Sequence, residues 1–371
     1  AALVSDPAVD YAYGQEFRFS LQLQNASDVQ RMTLYFRPEL SSYIYEVDVP
    51  FQQGDTISVT QSIDVSSLDI RPYSDVTYSW ELQTSDNVQV LPEGSFTYED
   101  DRFAWQTMIR DGVTAHWTGD GPMFGQNVLD IVENSLSDLT QSVPLEKIDP
   151  FDIYVYPSSA DVRTALRLGG VEDSQTNQLD LGVIFATAVN SQTAAADLQQ
   201  SIPYEVAGLL LYRAAGEQVA SIPWWLREGI AQNARPNNNP RHDQVLLDAL
   251  AAGGTIPLWR LCRQPQETGL RLELAAVQSA SLVSFLTESQ STGTIPELIS
   301  VTINGDDCEQ GVKRVLGYSL DDLEREWLDS LQEPSAAQSF INDAALWILL
   351  LIAGTILIVI LLRATRQKEK I

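Results

Sequence analysis

The sequence predicts a multi-domain α+β protein, with an antiparallel β-sandwich first, a mixed α+β domain next and a single membrane-spanning helix near the C-terminus. Three observations carry that prediction. Between about Glu16 and Tyr98, short runs alternate apolar and polar residues with a period of two. From about residue 101 the pattern changes to strands interleaved with helices, and then to helices alone. Finally, Ala344 to Leu362 is a run of 19 residues without a charge.

The alternating runs are Phe17 to Gln24, Arg31 to Arg37, Tyr43 to Val49, Thr56 to Val65 and Val76 to Thr84, with Gly, Asn, Asp, Ser and Pro in the gaps. Strands at this spacing suggest an immunoglobulin-like sandwich over residues 1–100, although the disulfide-forming cysteines of antibody domains are absent. Residues 101–333 form the second domain. Val113 to Trp117 reads as a strand. Pro122 to Gln141 reads as an amphipathic helix, with Phe124, Val128, Ile131, Val132 and Leu136 at helical spacing. Phe151 to Pro157 reads as a buried strand, and a helix follows it, capped by Ser158 or Ser159. Leu181 to Val189 is a further short apolar strand. Two helices, Pro203 to Ala214 and Pro223 to Asn233, each open on a proline, where a missing N–H costs little. Helices then dominate: His242 to Ala251, Arg271 to Glu288, Ile295 to Ile303, Asp307 to Leu316, and Leu320 to Leu331 with Ser319 as its N-cap.

The composition sets further bounds. With 44% hydrophobic and 9% aromatic residues the chain has ample material for packed cores. A formal charge of −27 repels nucleic acid and anionic lipid, and excludes both as partners of the soluble part. The two cysteines, Cys262 and Cys308, lie in no CxxC pair, so a metal or redox motif is not indicated. A disulfide between them and two unpaired buried thiols are both compatible with their spacing. No cofactor is indicated.

The apolar run 344–362 would span about 28 Å as a helix, close to the thickness of a hydrocarbon core. Residues 334–343 read as a linker into it, and 363–371 as a basic tail holding Arg363, Arg366, Lys368 and Lys370. The positive-inside rule places the tail in the cytoplasm and the acidic bulk outside, so the expectation is a single-pass cell-membrane protein that contacts the bilayer through 344–362. Ala353 and Gly354 form a small-residue notch, not a GxxxG motif, that is compatible both with close approach of a membrane-protein partner's helix and with lipid on all sides. The chain starts at Ala1, and a cleaved signal peptide is the simplest account of that start.

The stretch Ser201 to Asn233, SIPYEVAGLLLYRAAGEQVASIPWWLREGIAQN, is where chemistry would lie. Its two helices resemble the active-site pair of gluzincin (peptidase MA-like) zinc metallopeptidases. In that family HExxH on one helix supplies two His ligands and a general base, and a Glu in a WLxEG-type segment on the next supplies the third ligand. The resemblance extends to EDDRFAWQT, IYVYP, QSASLVSFL and GYSLDDLEREW. It implies a gluzincin-like α+β domain, with the strand before the first helix at the edge of its sheet.

Position by position, the resemblance keeps the frame and not the ligands. Tyr204 and Gly208 stand where the two His would be, while Glu205 and Glu228 remain. A catalytic zinc needs three protein ligands and an open position. Gly208 offers no donor, and the Tyr204 phenol would have to lose a proton from a pKa near 10. The chain's two histidines, His116 and His242, fall outside the pair and read as structural. The family's transition-state Tyr would fall near Ala275 or Ala276. Trp224 and Trp225 read as core rather than as a sugar platform. If the frame holds, Tyr204 faces Glu228 and its phenol donates to that carboxylate. The expectation is therefore a membrane-anchored peptidase homologue without metal or catalysis, acting as scaffold or accessory subunit of a membrane complex. Two alternatives stand beside it: a non-zinc hydrolase using Glu205 and Glu228, and a surface module that binds peptides without cutting them.

Overall fold

Glu16–Gln24 shows how alternation becomes architecture. Phe17, Phe19, Leu21 and Leu23 all point inward and are buried, while the residues between them face out. This strand, β3, is the spine of the first of two antiparallel sheets. Along one edge of it lie β1 (Ala2–Leu3) and β2 (Ala8–Ala12), and along the other β6 (Thr56–Asp64). In the second sheet β4 (Val29–Pro38) pairs with β5 (Tyr45–Asp48) and with β7 (Asp75–Thr84). The latter also pairs with β8 (Val88–Val90) and β9 (Gly94–Thr97). One core joins the two sheets, with Phe17, Phe19, Phe36, Trp80 and Leu82 among its members. The structure, a computed structural model, describes residues 1–332 apart from 40, 69, 120, 141, 146, 169–178, 189–193, 237–239 and 267.

A third sheet, in the order β10-β11-β12-β13, forms the middle layer of the molecule. β10 (Gln106–Arg110) runs antiparallel to β11 (Val113–Trp117), while β11, β12 (Phe151–Tyr156) and β13 (Val183–Thr187) are mutually parallel. Along β12 the side chains divide. Phe151, Ile153 and Val155 enter the helical core, whereas Tyr154 and Tyr156 enter the core of the two N-terminal sheets. A strand buried on both faces reads as a near-continuous apolar run, and Phe151 to Tyr156 does except at the half-buried Asp152. On the helical side lie α1 (Pro122–Leu139) and α3 (Ala194–Ala215), and α2 (Ser159–Leu168) packs with the N-terminal sheets through Ala165. Ser158 accepts the Asp161 N–H, so of the two candidate caps it is the one used.

The N-terminal sheets are bolted to this layer by polar groups as well. Asp100, fully buried, receives two hydrogen bonds from the Arg102 guanidinium at 2.7 and 2.5 Å and one from the Tyr156 hydroxyl at 3.0 Å. The Tyr73 and Tyr156 hydroxyls are hydrogen-bonded to each other. Arg71 grips Asp180 with both terminal nitrogens at 2.5 and 2.6 Å.

The remaining elements are helices: α4 (Trp224–Asn233), α5 (Pro240–Ala251), the short α6 (Leu258–Leu261), α7 (Leu270–Ser289), α8 (Thr294–Ile303), α9 (Cys308–Leu316) and α10 (Leu320–Gln332). Cys262 and Cys308 form a disulfide that ties the end of α6 to the start of α9. It closes a loop of sequence separation 46, and cross-linking the unfolded chain at that length is worth about 4 kcal/mol in the chain-entropy model. Among the described residues no helix is long and apolar enough to cross a membrane. The linker 334–343, the apolar run 344–362 and the tail 363–371 lie outside the described residues.

Candidate functional site

The first helix of the candidate pair differs from the sequence expectation. α3 does not begin at Pro203 but runs Ala194–Ala215 with the proline inside it. Proline removes one hydrogen bond to the preceding turn and crowds it. Leu198, Ile202, Val206, Leu209 and Leu210, spaced one helical turn apart and all buried, hold the helix against the core across that defect. A 3-10 turn, Gly216–Ser221, leads to α4, where Pro223 is the N-cap. The first α4 residue, Trp224, donates its N–H to the Cys262 carbonyl at 3.1 Å. Trp224 and Trp225 are buried in the core, as read from the sequence, and Leu226 is buried with them.

Gly229 explains how close α4 lies to α7. A Cβ there would come 2.4 Å from the Ser279 carbonyl oxygen and 2.4 Å from Val283, so only glycine allows the contact. Gly208 is the opposite case. A Cβ at that position would meet nothing within 4 Å, so no neighbour claims the room it leaves.

The two helices bring Tyr204 and Glu228 together. The Tyr204 hydroxyl donates to one Glu228 oxygen at 2.9 Å, and the Gln232 amide donates to the other at 2.7 Å. Arg235 completes the cluster: its guanidinium lies 4.1 Å from the centroid of the Tyr204 ring and donates to the Gln232 side-chain oxygen at 3.2 Å. Burial first, and the Glu228 carboxylate second, push the Tyr204 phenol well above the usual tyrosine range. Glu205 has no hydrogen-bond partner among the described residues. Burial raises its carboxyl from 4.5 to about 7, and the positive charge of Arg235 opposes that rise.

Gln232 and Arg235 were not singled out in the sequence. The signal for Gln232 was present, since it lies four residues after Glu228 and therefore on the same face of α4. Arg235 continues that face one turn later, beyond the helix end. Both also line a groove of about 700 Å³, as does His242 of α5. His116 lies on the far side of the middle sheet. It stacks on Tyr154 with centroids 4.1 Å apart, and its Nε2 is 2.7 Å from Asp152. Ala275 is in the core of α7, and neither it nor Ala276 supplies a phenol.

These residues do not fit a zinc ion. Gly208 has no donor, the Tyr204 phenol is held protonated, and both Glu228 oxygens already accept hydrogen bonds. Among the described residues no group of three or more His, Cys, Asp and Glu side chains could hold a metal.

The family model for the Peptidase MA superfamily matches residues 132–333, more than half of the chain. The chain belongs to that superfamily. Solved structures to which it is similar include an M1 zinc metallopeptidase from Deinococcus radiodurans, at 11% identity and a TM-score of 0.37, covering 88% of this chain and 95% of that one. An aminopeptidase N family protein from Idiomarina loihiensis is similar at 10% identity and a TM-score of 0.33, covering 85% of this chain and 74% of that one. No curated protein matches the sequence. The matched residues lie in the α+β domain that follows the N-terminal β-sheet domain. Tyr204, Glu205, Gly208 and Glu228 all fall within the matched residues.

Proposed function

We propose that this chain is a catalytically inactive member of the superfamily, anchored in the cell membrane through 344–362 and serving as scaffold or accessory subunit of a membrane protein complex. The carrying observation is the closed Tyr204–Glu228–Gln232–Arg235 cluster. A phenol and an arginine tie α3 to α4 where the family resemblance calls for a metal and its ligands. In this reading the N-terminal unit is an immunoglobulin-like sandwich that presents the peptidase-like domain, and its polar attachment through Asp100 suits a rigid support.

Metal analysis tests the reading. The purified chain is expected to carry no stoichiometric zinc and to leave peptide substrates intact after zinc is added. The double variant Tyr204→His with Gly208→His is expected to take up zinc, with Glu228 as third ligand. Stoichiometric zinc on the wild-type chain refutes the proposal.

One observation favours a second reading. A carboxyl near pH 7 suits general acid–base work, so Glu205 would be the working group of a non-zinc hydrolase. Hydrolysis abolished by Glu205→Gln in a chain shown to be free of metal would establish that reading and displace the first.

A further inference from the structure

We infer that the Cys262–Cys308 disulfide is a thiol-exchange site that an external dithiol opens in the folded protein, and that opening it loosens the start of α4. The inference does not depend on whether the chain is an active peptidase.

Access is the first ground. Both cysteines line an open pocket of about 880 Å³ and neither is fully buried. A sulfur facing such a pocket can be approached in line by a thiolate, which a sulfur sealed in a core cannot. Electrostatics is the second. Arg263, exposed on the same wall, attracts an incoming thiolate. Three acids also line the pocket; Asp306 is neutralised by a cation, while Asp307 and Glu309 are held by backbone N–H groups and temper that attraction. Asp306 pairs with Arg314 at 2.8 Å, Asp307 caps α9 by accepting the Gln310 N–H at 2.8 Å, and Glu309 accepts the Leu320 N–H at 3.3 Å. The leaving group is the third ground. Cys308 is the first residue of α9, and the positive end of a helix favours a thiolate over a thiol.

The exchange balances as follows. One thiolate of the dithiol attacks the Cys262 sulfur, forming a mixed disulfide and expelling Cys308 as a thiolate, which takes a proton from water. The second thiol of the reductant, deprotonated, attacks its own partner sulfur in the mixed disulfide. It leaves as a cyclic disulfide and releases Cys262, which is protonated in turn. The cystine gains two electrons and the dithiol loses two.

Readout follows from one backbone bond. The Cys262 carbonyl receives the Trp224 N–H, the first of α4, the helix that carries Glu228. With the disulfide closed, α6 is fastened to α9 covalently and to α10 by the Leu258 N–H to Glu324 bond at 3.0 Å. Opening removes the covalent tie at the Cys262 end while the Glu324 bond and the burial of Leu258 and Leu261 remain, so the anchor of α4 is held by a freer segment.

The test uses the purified full chain in mild detergent. It is treated with dithiothreitol with and without denaturant, then alkylated and read by mass spectrometry. Native reduction within about a hundredfold of the denatured rate is expected for an open site, and slower reduction overturns the proposal. Amide hydrogen exchange at Trp224 to Leu226 is expected to rise by about tenfold or more on reduction; unchanged exchange overturns the link to α4. Arg263→Glu should slow reduction by both reagents, and slow glutathione, whose thiolate form carries the larger negative charge, several-fold more than dithiothreitol; equal slowing of both, or slowing of neither, overturns the role of that arginine.

Discussion

Glu205→Gln isolates the energetic consequence of keeping a carboxyl in this cluster. In the folded chain Glu205 titrates at about 7, against 4.5 in an ordinary setting, chiefly because it is buried. Below pH 4.5 both the folded and the unfolded chain hold the proton, and the group takes nothing from stability. Between about 4.5 and 7 the folded chain keeps a proton that the unfolded chain has lost, so stability falls as pH rises through that window. Above 7 the whole penalty is present. A difference of about 2.5 pKa units corresponds to about 3 kcal/mol, and solvent reaching the partly exposed side chain reduces this to about 1–2 kcal/mol.

The assay is denaturant unfolding of the full chain and of Glu205→Gln at pH 5 and pH 8. The quantity of interest is the difference between the two proteins, in which all other titrating groups cancel. The variant should gain about 1–2 kcal/mol on the wild type in going from pH 5 to pH 8. Parallel profiles would refute the argument. Arg235 supplies an internal check, because its charge holds the Glu205 titration down. With Arg235→Gln the window must move to higher pH, and an unmoved window removes Arg235 from the account.

The other predictions concern stability. Tyr204→Phe removes a hydrogen bond to a carboxylate and should lower stability by about 1.5–3 kcal/mol; a smaller loss in denaturant unfolding would show that Gln232 alone satisfies Glu228. Gly208→Ala and Gly229→Ala should have opposite signs. The first fills empty space on a helix and gains up to about 1 kcal/mol. The second drives a methyl into the Ser279 carbonyl and loses about 1–3 kcal/mol, so shifts of the same sign in thermal unfolding would contradict the packing described for α4 and α7. Asp100→Ala leaves the partly exposed Arg102 guanidinium without its carboxylate and the Tyr156 hydroxyl with Tyr73 as its remaining partner, and should lower stability by about 1–3 kcal/mol; no measurable loss would mean that the network does not hold the N-terminal sheets in place.

Where a segment is long and has one dominant environment, the sequence was readable. The five alternating runs became β3 to β7 with shifts of one or two residues, and Val113 to Trp117 became β11 without change. What escaped was short or governed by neighbours. β1, β2, β8, β9 and β10 have between two and five residues, too few for a period of two to stand out, and they are strands because β3, β7 and β11 offer them an edge. Pro203 misled for a related reason: it is a local stop signal overridden by the burial in the core of five apolar residues of the same helix. The disulfide was open in the sequence because spacing alone does not bring Cys262 and Cys308 together; the packing of α6 against α9 and α10 does.

The site shows why family membership could be read more easily than chemistry. In the WWLREG segment, Trp224, Trp225 and Leu226 are core, and Gly229 is demanded by the carbonyl of Ser279. Such positions stay recognisable for packing reasons, whatever the cleft does. Glu228 makes the segment's hydrogen bond to α3, and its partners are residues that no metal-site pattern includes, a tyrosine in a ligand position and a glutamine one turn on, with an arginine past the helix end packed on both of them. A motif built largely of packing residues can therefore report the frame of a peptidase while remaining silent about its reaction. It is the side chains at 204, 205, 208, 232 and 235, read together against Glu228, that bear on whether this frame can do chemistry.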